Sequence, residues 1–319
     1  METILHNCCG LDIHKESVYA CIIKTKVTTN TNSKKEDYDK EFRVFEAFPE
    51  SLRELKNWLI TENCQHVAME STGVYWHPVY NELETSFDGN IELLVANARH
   101  LRNVRGKKTD MKDSEWIALL YRAGLLNGSF IPPQEIRDFR KLARYRKNIV
   151  SDISKQKNRI EKLLQSAGFK LSSFLSDIFG VSGRNLINVL IKNGVLSESA
   201  VDIGAKHISA EKRHEIKRLL TSQLNKHERD FLKLQIKHLD QLQAHLDSVE
   251  KSIEKHAANF KDEIERLDSI PGIAKTAATA IIAEIGVDMS KFPTVEQFCK
   301  WAGLTPGNNE SAGKKKVQE

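Results

Sequence analysis

Apolar and polar positions along the first 125 residues change period several times. Cys9 to Ile13 and Val18 to Lys24 are short β-prone runs separated by a polar turn, His14-Lys15-Glu16-Ser17. The polar stretch Thr25 to Lys40 predicts a long hairpin tip, and Glu41 to Phe48 a third strand. Pro49 opens a helix over Glu50 to Thr61 with Leu52, Leu55, Trp58 and Leu59 on one face. His66 to Glu70 predicts a fourth strand, Val74 to Glu84 a second helix and Ile91 to Ala96 a fifth strand. Thr109 is placed to cap a third helix running to about Ala123 through Trp116, Ile117, Leu119 and Leu120.

The resulting order, β-β-β-α-β-α-β-α, is that of an RNase H-like (RuvC-like) domain, a mixed sheet flanked by helices. Gly128 to Pro133 breaks the pattern and reads as a linker. A long basic helix follows over Gln134 to Ala167, then a less regular segment rich in Ser, Gly and Asn to about Ala205. A second long helix is predicted from about Ala210 to Phe260. In it Leu232, Leu239, Leu246, Ile253 and Phe260 repeat every seven residues, with Leu242 and Val249 in the partner positions and Gln235 and His256 as polar interruptions. An antiparallel hairpin within the chain or a dimer would satisfy this seam equally. From Ile264 the composition shifts to small apolar helices and Gly-rich turns. The expectation is therefore α/β plus α. It comprises an RNase H-like domain over 1–128, a helical coiled-coil connector over 129–262, and a small, mainly helical C-terminal domain over 263–319.

Composition adds limits. A hydrophobic fraction of 40% with 29% charged residues suits a water-soluble globular protein, and a net charge of +5 by itself selects no partner. Its distribution says more: Arg137 to Lys162 carries ten Lys or Arg against three acids, and Arg99 to Lys112 six against one. Such runs suit a phosphate backbone, or equally a solvated helix face. The five cysteines form no C-x-x-C pair, which argues against a zinc site or a disulfide framework and fits a reducing cytoplasm. No stretch approaches the ~20 apolar residues of a membrane helix, and the first ten residues lack the pattern of a secretory signal.

Four carboxylates are the candidate chemistry. Asp12 interrupts the first strand, where a buried acid is costly without a partner. Glu70 ends the fourth strand, and in an RNase H-like sheet these two strands are neighbours. Asp110 and Asp113 stand three residues apart on the last helix of the domain, on one face. Taken singly, Asp110 is a helix-start charge and Asp113 its solvated neighbour. Taken together, four carboxylates repel unless cations sit among them. Mg²⁺ favours oxygen ligands, with Mn²⁺ as a substitute, and two such ions about 4 Å apart clamp the attacking and leaving oxygens of a phosphodiester.

Two C-terminal features stand out. Leu267-Asp268-Ser269-Ile270-Pro271-Gly272-Ile273-Ala274-Lys275-Thr276-Ala277 looks like a helix-hairpin-helix turn, whose backbone N–H groups hold a DNA phosphate. Ala274 stands where a second glycine is usual, and an ordinary Pro-Gly helix connection is the plainer reading. Further on, Gly303-Leu304-Thr305-Pro306 and Ser311-Ala312-Gly313 precede three lysines.

The combination of Gly10 to Val18, Met69-Glu70-Ser71-Thr72-Gly73 with Tyr75 and Trp76, and Lys108-Thr109-Asp110-x-x-Asp113 resembles the DEDD domain of the insertion-sequence one-hundred-ten family of transposases. That family is related to Piv-type DNA invertases and includes the bridge-RNA-guided recombinases. The likeness extends through Phe130-Ile131-Pro132-Pro133, Ile136-Arg137 and the basic helix, and covers nearly the whole chain. It implies a bacterial, nucleoid-associated recombinase that cuts and rejoins double-stranded DNA at element ends and target. Asp12, Glu70, Asp110 and Asp113 would be catalytic and metal-binding, and Ser311 a nucleophile brought to them in a composite site. It also implies a structured guide RNA and homo-oligomers, dimers passing to tetramers at synapsis. Arg99, Arg102, Arg105, Lys107, Lys108, Arg140, Arg144, Arg146, Lys147, Gly272, Lys275, Lys314, Lys315 and Lys316 are the expected nucleic-acid contacts. Family members continue for several helices past this serine, whereas this sequence stops eight residues later, which suggests a truncated C-terminal domain. Two rivals keep the carboxylates or the charge without the serine: a RuvC-like nuclease that uses water, and a non-catalytic nucleic-acid-binding remnant.

Overall fold

The computed structural model describes residues 4–26, 38–71, 73–85, 91–97 and 110–305, together with the backbone at 310–311 and 314–315. It divides into two compact units, Met1–Ile131 and Pro132–Glu319.

The first unit is built on a five-stranded sheet: β1 (Asn7–Ile13), β2 (Ser17–Thr25), β3 (Tyr38–Glu46), β4 (His66–Glu70) and β5 (Glu92–Ala96). Their order across the sheet is β3-β2-β1-β4-β5. The β1–β2 and β2–β3 pairs are antiparallel, while β1–β4 and β4–β5 are parallel. This mixed sheet is the RNase H-like architecture, with β1 and β4 side by side at its centre.

Alternation along the strands supplies two apolar faces. Cys9, Leu11 and Ile13 of β1 with Val67 and Met69 of β4 pack against α1 (Pro49–Thr61) and α2 (Trp76–Glu84), through Leu55, Leu59, Val79 and Leu83. On the other face Cys8, Cys21, Ile23 and Ala68 meet Ile117, Ala118, Leu120 and Tyr121 of α3 (Asp110–Arg122). The buried thiols of Cys8, Cys21 and Cys64 are pushed up to about 12 by desolvation, so they remain protonated and apolar in character.

Several boundaries differ from the sequence expectation. β3 begins at Tyr38 and pairs with β2 over nine residues, Ser17 opposite Glu46 through Thr25 opposite Tyr38, so the expected hairpin tip of Thr25 to Lys40 is shorter. The charges at Asp39, Lys40 and Glu41 hide this strand from a hydrophobic pattern, yet Tyr38 and Phe42 pack against the α3 face of the sheet. α2 starts at Trp76 because Gly73 turns the chain in the left-handed region (φ 56°) first. The expected linker is partly sheet: Gly128 bridges Ala96, and Ser129 N–H donates to the Val95 carbonyl at 2.7 Å.

The second unit is helical. α4 (Gln134–Ser166) is followed by α5 (Val181–Asn193), α6 (Glu198–Gly204) and α7 (Ala210–Ile216). Then come α8 (Lys226–Ala257), α9 (Lys261–Asp268), α10 (Lys275–Ile285) and α11 (Val295–Trp301). The segment expected to be irregular therefore holds α5 and α6, with α5 closed by Gly194 at φ 79°. The long helix expected from Ala210 is interrupted, because Asn225 and Glu228 form a capping box that starts α8 afresh.

α4 and α8 run antiparallel. Phe139 lies 6.0 Å, ring to ring, from Phe260; Tyr145 Oη is 2.8 Å from His245 Nε2; Gln156 Nε2 donates to the Gln235 carbonyl at 3.0 Å. Leu232, Leu239, Leu246, Val249, Ile253 and Phe260 are buried in one core with Ile149, Ile153, Ile160 and Leu164 of α4. The heptad seam is thus filled by the chain's own helix. Ile264 of α9 and Ala278, Ile282 and Ala283 of α10 join the same core. Among the described residues, no helix is long and apolar enough to cross a membrane.

Candidate active site

Strand register decides which acids meet. Leu11 of β1 pairs with Met69 of β4, so Asp12 and Glu70, the next residue on each strand, stand side by side. By alternation both belong to the face that carries Cys8, Gly10 and Ala68, the face covered by α3. Gly10 lets that helix come close. A Cβ there would lie 2.2 Å from the Ser114 carbonyl oxygen and 2.4 Å from the Ala118 nitrogen, so bare backbone touches bare backbone. Ser114 is fully buried at this contact, and Asp113 immediately precedes it.

Asp12 is 7% exposed, low for an aspartate. Burial pushes its carboxyl above the ordinary aspartate range. The His14 imidazole, with Nε2 3.2 Å from Asp12 Oδ2, pulls it back, and the charges of Asp113 and Glu70 push it up again. Asp12 therefore feels two further acids, one from β4 and one from α3. Asp110 opens α3 one turn before Asp113, with its side chain outside the described residues. Among the described residues, no three His, Cys, Asp or Glu side chains stand close enough to hold a metal ion.

In the sequence His14 belongs to a polar turn. Its signal is its place two residues after Asp12, just past the end of β1, close enough for its ring to reach back to that carboxylate. Gly10 stands two residues before Asp12, on the same face of the strand.

The expected phosphate contacts fare unevenly. Arg144 makes a bidentate pair with Glu284 at 2.7 and 2.8 Å, Arg140 Nε is 3.3 Å from the same carboxylate, and Arg146 pairs with Glu250 at 2.7 Å. These arginines are paired within the helical unit, two of them sharing the one Glu284 carboxylate, and the Arg144 side chain stays 64% exposed. Lys147 is exposed, as are Gly272 (φ 93°) and Lys275, which opens α10. Arg99, Arg102, Arg105, Lys107, Lys108 and Lys316 lie outside the described residues. Near the C-terminus the backbone pairs Ser311 with Lys314 and Glu310 with Lys315 in a two-stranded ladder, β6 (Glu310–Ser311) and β7 (Lys314–Lys315).

A DEDD transposase model of the IS110 type matches residues 9–169, half of the chain, and one described as the transposase IS116/IS110/IS902 family matches residues 264–319. The chain belongs to the IS110 family of transposases. As an IS110-family transposase it is an enzyme that acts on DNA. Among solved structures, Thermus thermophilus RuvC is similar at 9% identity and a TM-score of 0.30, over 39% of this chain and 99% of that one. T. thermophilus RuvC in complex with a Holliday junction substrate follows at 8% and 0.29, over 39% and 99%. Fowlpox virus resolvase with its Holliday junction DNA stands at 16% and 0.28, over 37% and 99%. No curated protein matches the chain.

Proposed function

We propose that this IS110-family transposase cuts and rejoins DNA strands at element ends and target, with Asp12, Glu70, Asp110 and Asp113 as a divalent-metal site and Ser311 as the attacking hydroxyl. The observation that carries the reading is the convergence on Asp12: a buried carboxylate raised by desolvation and by the charges of Glu70 and Asp113. A set of carboxylates whose mutual repulsion His14 offsets only in part suits a hard cation, Mg²⁺ with Mn²⁺ as substitute. Such a cation, when bound, supplies electrophilic stabilisation to a phosphodiester oxygen. Asp12 and Glu70 would provide ligand oxygens from neighbouring strands, with His14 holding the Asp12 carboxylate and Asp113 drawn in from α3 as the cation binds. Ser311 would give up its hydroxyl proton and attack phosphorus, breaking one phosphorus–oxygen bond of the DNA and releasing that end as a free hydroxyl. The phosphoserine would hold the other end until a DNA hydroxyl attacks and the serine leaves. The lysines Lys314, Lys315 and Lys316, with Lys275 and the N–H groups beside Gly272, would hold phosphates. Lys147 and the basic run Arg99, Arg102, Arg105, Lys107 and Lys108 would track the backbone.

The family likeness adds a structured guide RNA, homo-oligomers that synapse two DNA partners, and a working division into segments 1–128, 129–262 and 263–319. The test is Mg²⁺-dependent cleavage of element-end DNA with trapping of the covalent adduct. Asp113→Ala is expected to lose both cleavage and the Mg²⁺ heat measured by calorimetry, and Ser311→Ala to lose the adduct. Adducts formed by Ser311→Ala would refute the serine, and cleavage without adducts would leave a water-using nuclease.

A further inference from the structure

We propose that the cleft beside Asp12 is a nucleotide subsite, in which an unpaired base of the DNA strand flanking the scissile phosphate stacks on Tyr75 while Lys15 meets its outer phosphate. The inference rests on the carboxylate reading above for its position, and on independent geometry for its chemistry. The cleft measures about 440 Å³ and is lined by Ile13, His14, Lys15, Glu16, Ser17 and Tyr75. It lies where β1 and β4 both end, next to Asp12 on one side and a few residues past Glu70 on the other.

Both walls are held in place. On the first, His14 N–H donates to the Ser17 carbonyl at 2.9 Å, and Ala47 N–H to the Glu16 carbonyl at 3.0 Å, which ties the β1–β2 turn to the chain after β3. On the second, Gly73 turns the chain and Trp76 anchors it. Trp76 is 8% exposed and meets Tyr80 edge-on at 5.6 Å, so the residue before it is left at the surface. Tyr75 is 41% exposed, and among the described residues its ring meets no other aromatic ring.

An exposed aromatic next to an anchored helix start, beside the carboxylates, suits a base, since every base has a face to stack. Charge alone would not hold a ligand here: Lys15 Nζ is 3.9 Å from Glu16 Oε1, both side chains are largely solvated, and their charges nearly cancel. The affinity must then come mostly from stacking, which a paired base within a duplex cannot offer. The ligand class is an unstacked deoxynucleotide, as in single-stranded, nicked or distorted DNA.

The test uses the full chain and a 2-aminopurine-labelled single-stranded DNA 12-mer, its duplex, and the RNA of the same sequence, all in Ca²⁺. Wild type and Tyr75→Phe are expected to quench the probe and to prefer the single strand. Tyr75→Ala should weaken single-strand binding by about 5- to 150-fold, the loss of one base–aromatic stack, with duplex affinity and salt slope unchanged. Wild-type affinity in Tyr75→Ala, equal losses in Tyr75→Phe and Tyr75→Ala, or a preference for the RNA would each overturn the proposal. Mg²⁺-dependent cleavage by Asp113→Asn is measured alongside. If that variant is inactive while Tyr75→Ala binds normally, the subsite fails and the carboxylate reading stands. If it cleaves normally while Tyr75→Ala binds weakly, the base-stacking site stands and its placement beside the scissile phosphate fails with the carboxylate reading.

Discussion

Replacing Gly10 with alanine adds one methyl group at the point where β1 touches α3. That methyl would sit 2.2 Å from the Ser114 carbonyl oxygen and 2.4 Å from the Ala118 nitrogen. Both are backbone atoms of a buried helix face, so no side-chain rotation relieves the overlap. The helix must retreat by about 1 Å or more to restore ordinary contact distances. Overpacking of this kind costs typically 1–3 kcal/mol, and a clash against backbone belongs near the top, about 3 kcal/mol. For a unit of this size that corresponds to a fall in Tm on the order of 10 °C. The functional loss should exceed the stability loss, because α3 carries Asp113 to Asp12, and a misplacement of about 1 Å costs roughly 100-fold in rate. The assay is Mg²⁺-dependent DNA cleavage at a temperature where circular dichroism shows the variant folded, with DNA affinity measured in parallel. The expected result is about 100-fold slower cleavage with affinity within a few-fold of wild type. A variant with Tm unchanged and cleavage within twofold would refute the idea that this glycine sets the distance between helix and strand.

The Asp12 carboxyl has a raised pKa in the folded chain, so its ionised form opposes folding; its contribution is most favourable at acid pH and is lost as pH rises through the folded value. Metal-free Asp12→Asn should therefore melt above wild type at neutral pH, the gap closing below the ordinary value of 3.8, and Mg²⁺ should reverse the order; a lower Tm without metal would contradict this. Glu284 is shifted the other way, by its hydrogen bonds from Arg144, so its stabilisation is present above the ordinary 4.5 and fades as pH falls through the lower folded value. Glu284→Gln should lose about 1–2 kcal/mol at pH 7, between an exposed and a buried ion pair, and progressively less as pH falls below 4.5. Arg144→Gln should leave the salt dependence of DNA binding unchanged, because Arg144 is paired with Glu284; a shallower slope would show it to be a phosphate contact. Leu239→Ala should cost about 2–5 kcal/mol. The fall in Tm relative to wild type should be the same at low and high protein concentration, and a fall that changes with concentration would show the seam shared between chains.

Much of the first unit was legible in the amino-acid sequence because its central strands are short, largely apolar runs bounded by polar turns, and its acids interrupt those runs. β4 at His66–Glu70 was expected residue for residue, whereas β3 was shortened in the reading by its charges. The helices of the second unit were harder to bound. Asn225 and Glu228 stop and restart a pattern that looks continuous in hydropathy, since capping is a matter of two hydrogen bonds rather than of apolar content.

Local pattern alone determined that the chain carries an ordered set of strands and helices, a heptad seam and four separated carboxylates, because each is written in the run of residues along the chain. Tertiary structure decided what each of these meets. The register of β1 against β4 sets Asp12 beside Glu70, and the bare backbone at Gly10 admits the helix bearing Asp113. The antiparallel run of α4 along α8 assigns the seam to the chain itself and turns Arg146 toward Glu250, while α10, packed in the same core, offers Glu284 to Arg140 and Arg144. Partners distant in sequence are chosen by packing and pairing, and no periodicity within a single segment encodes that choice.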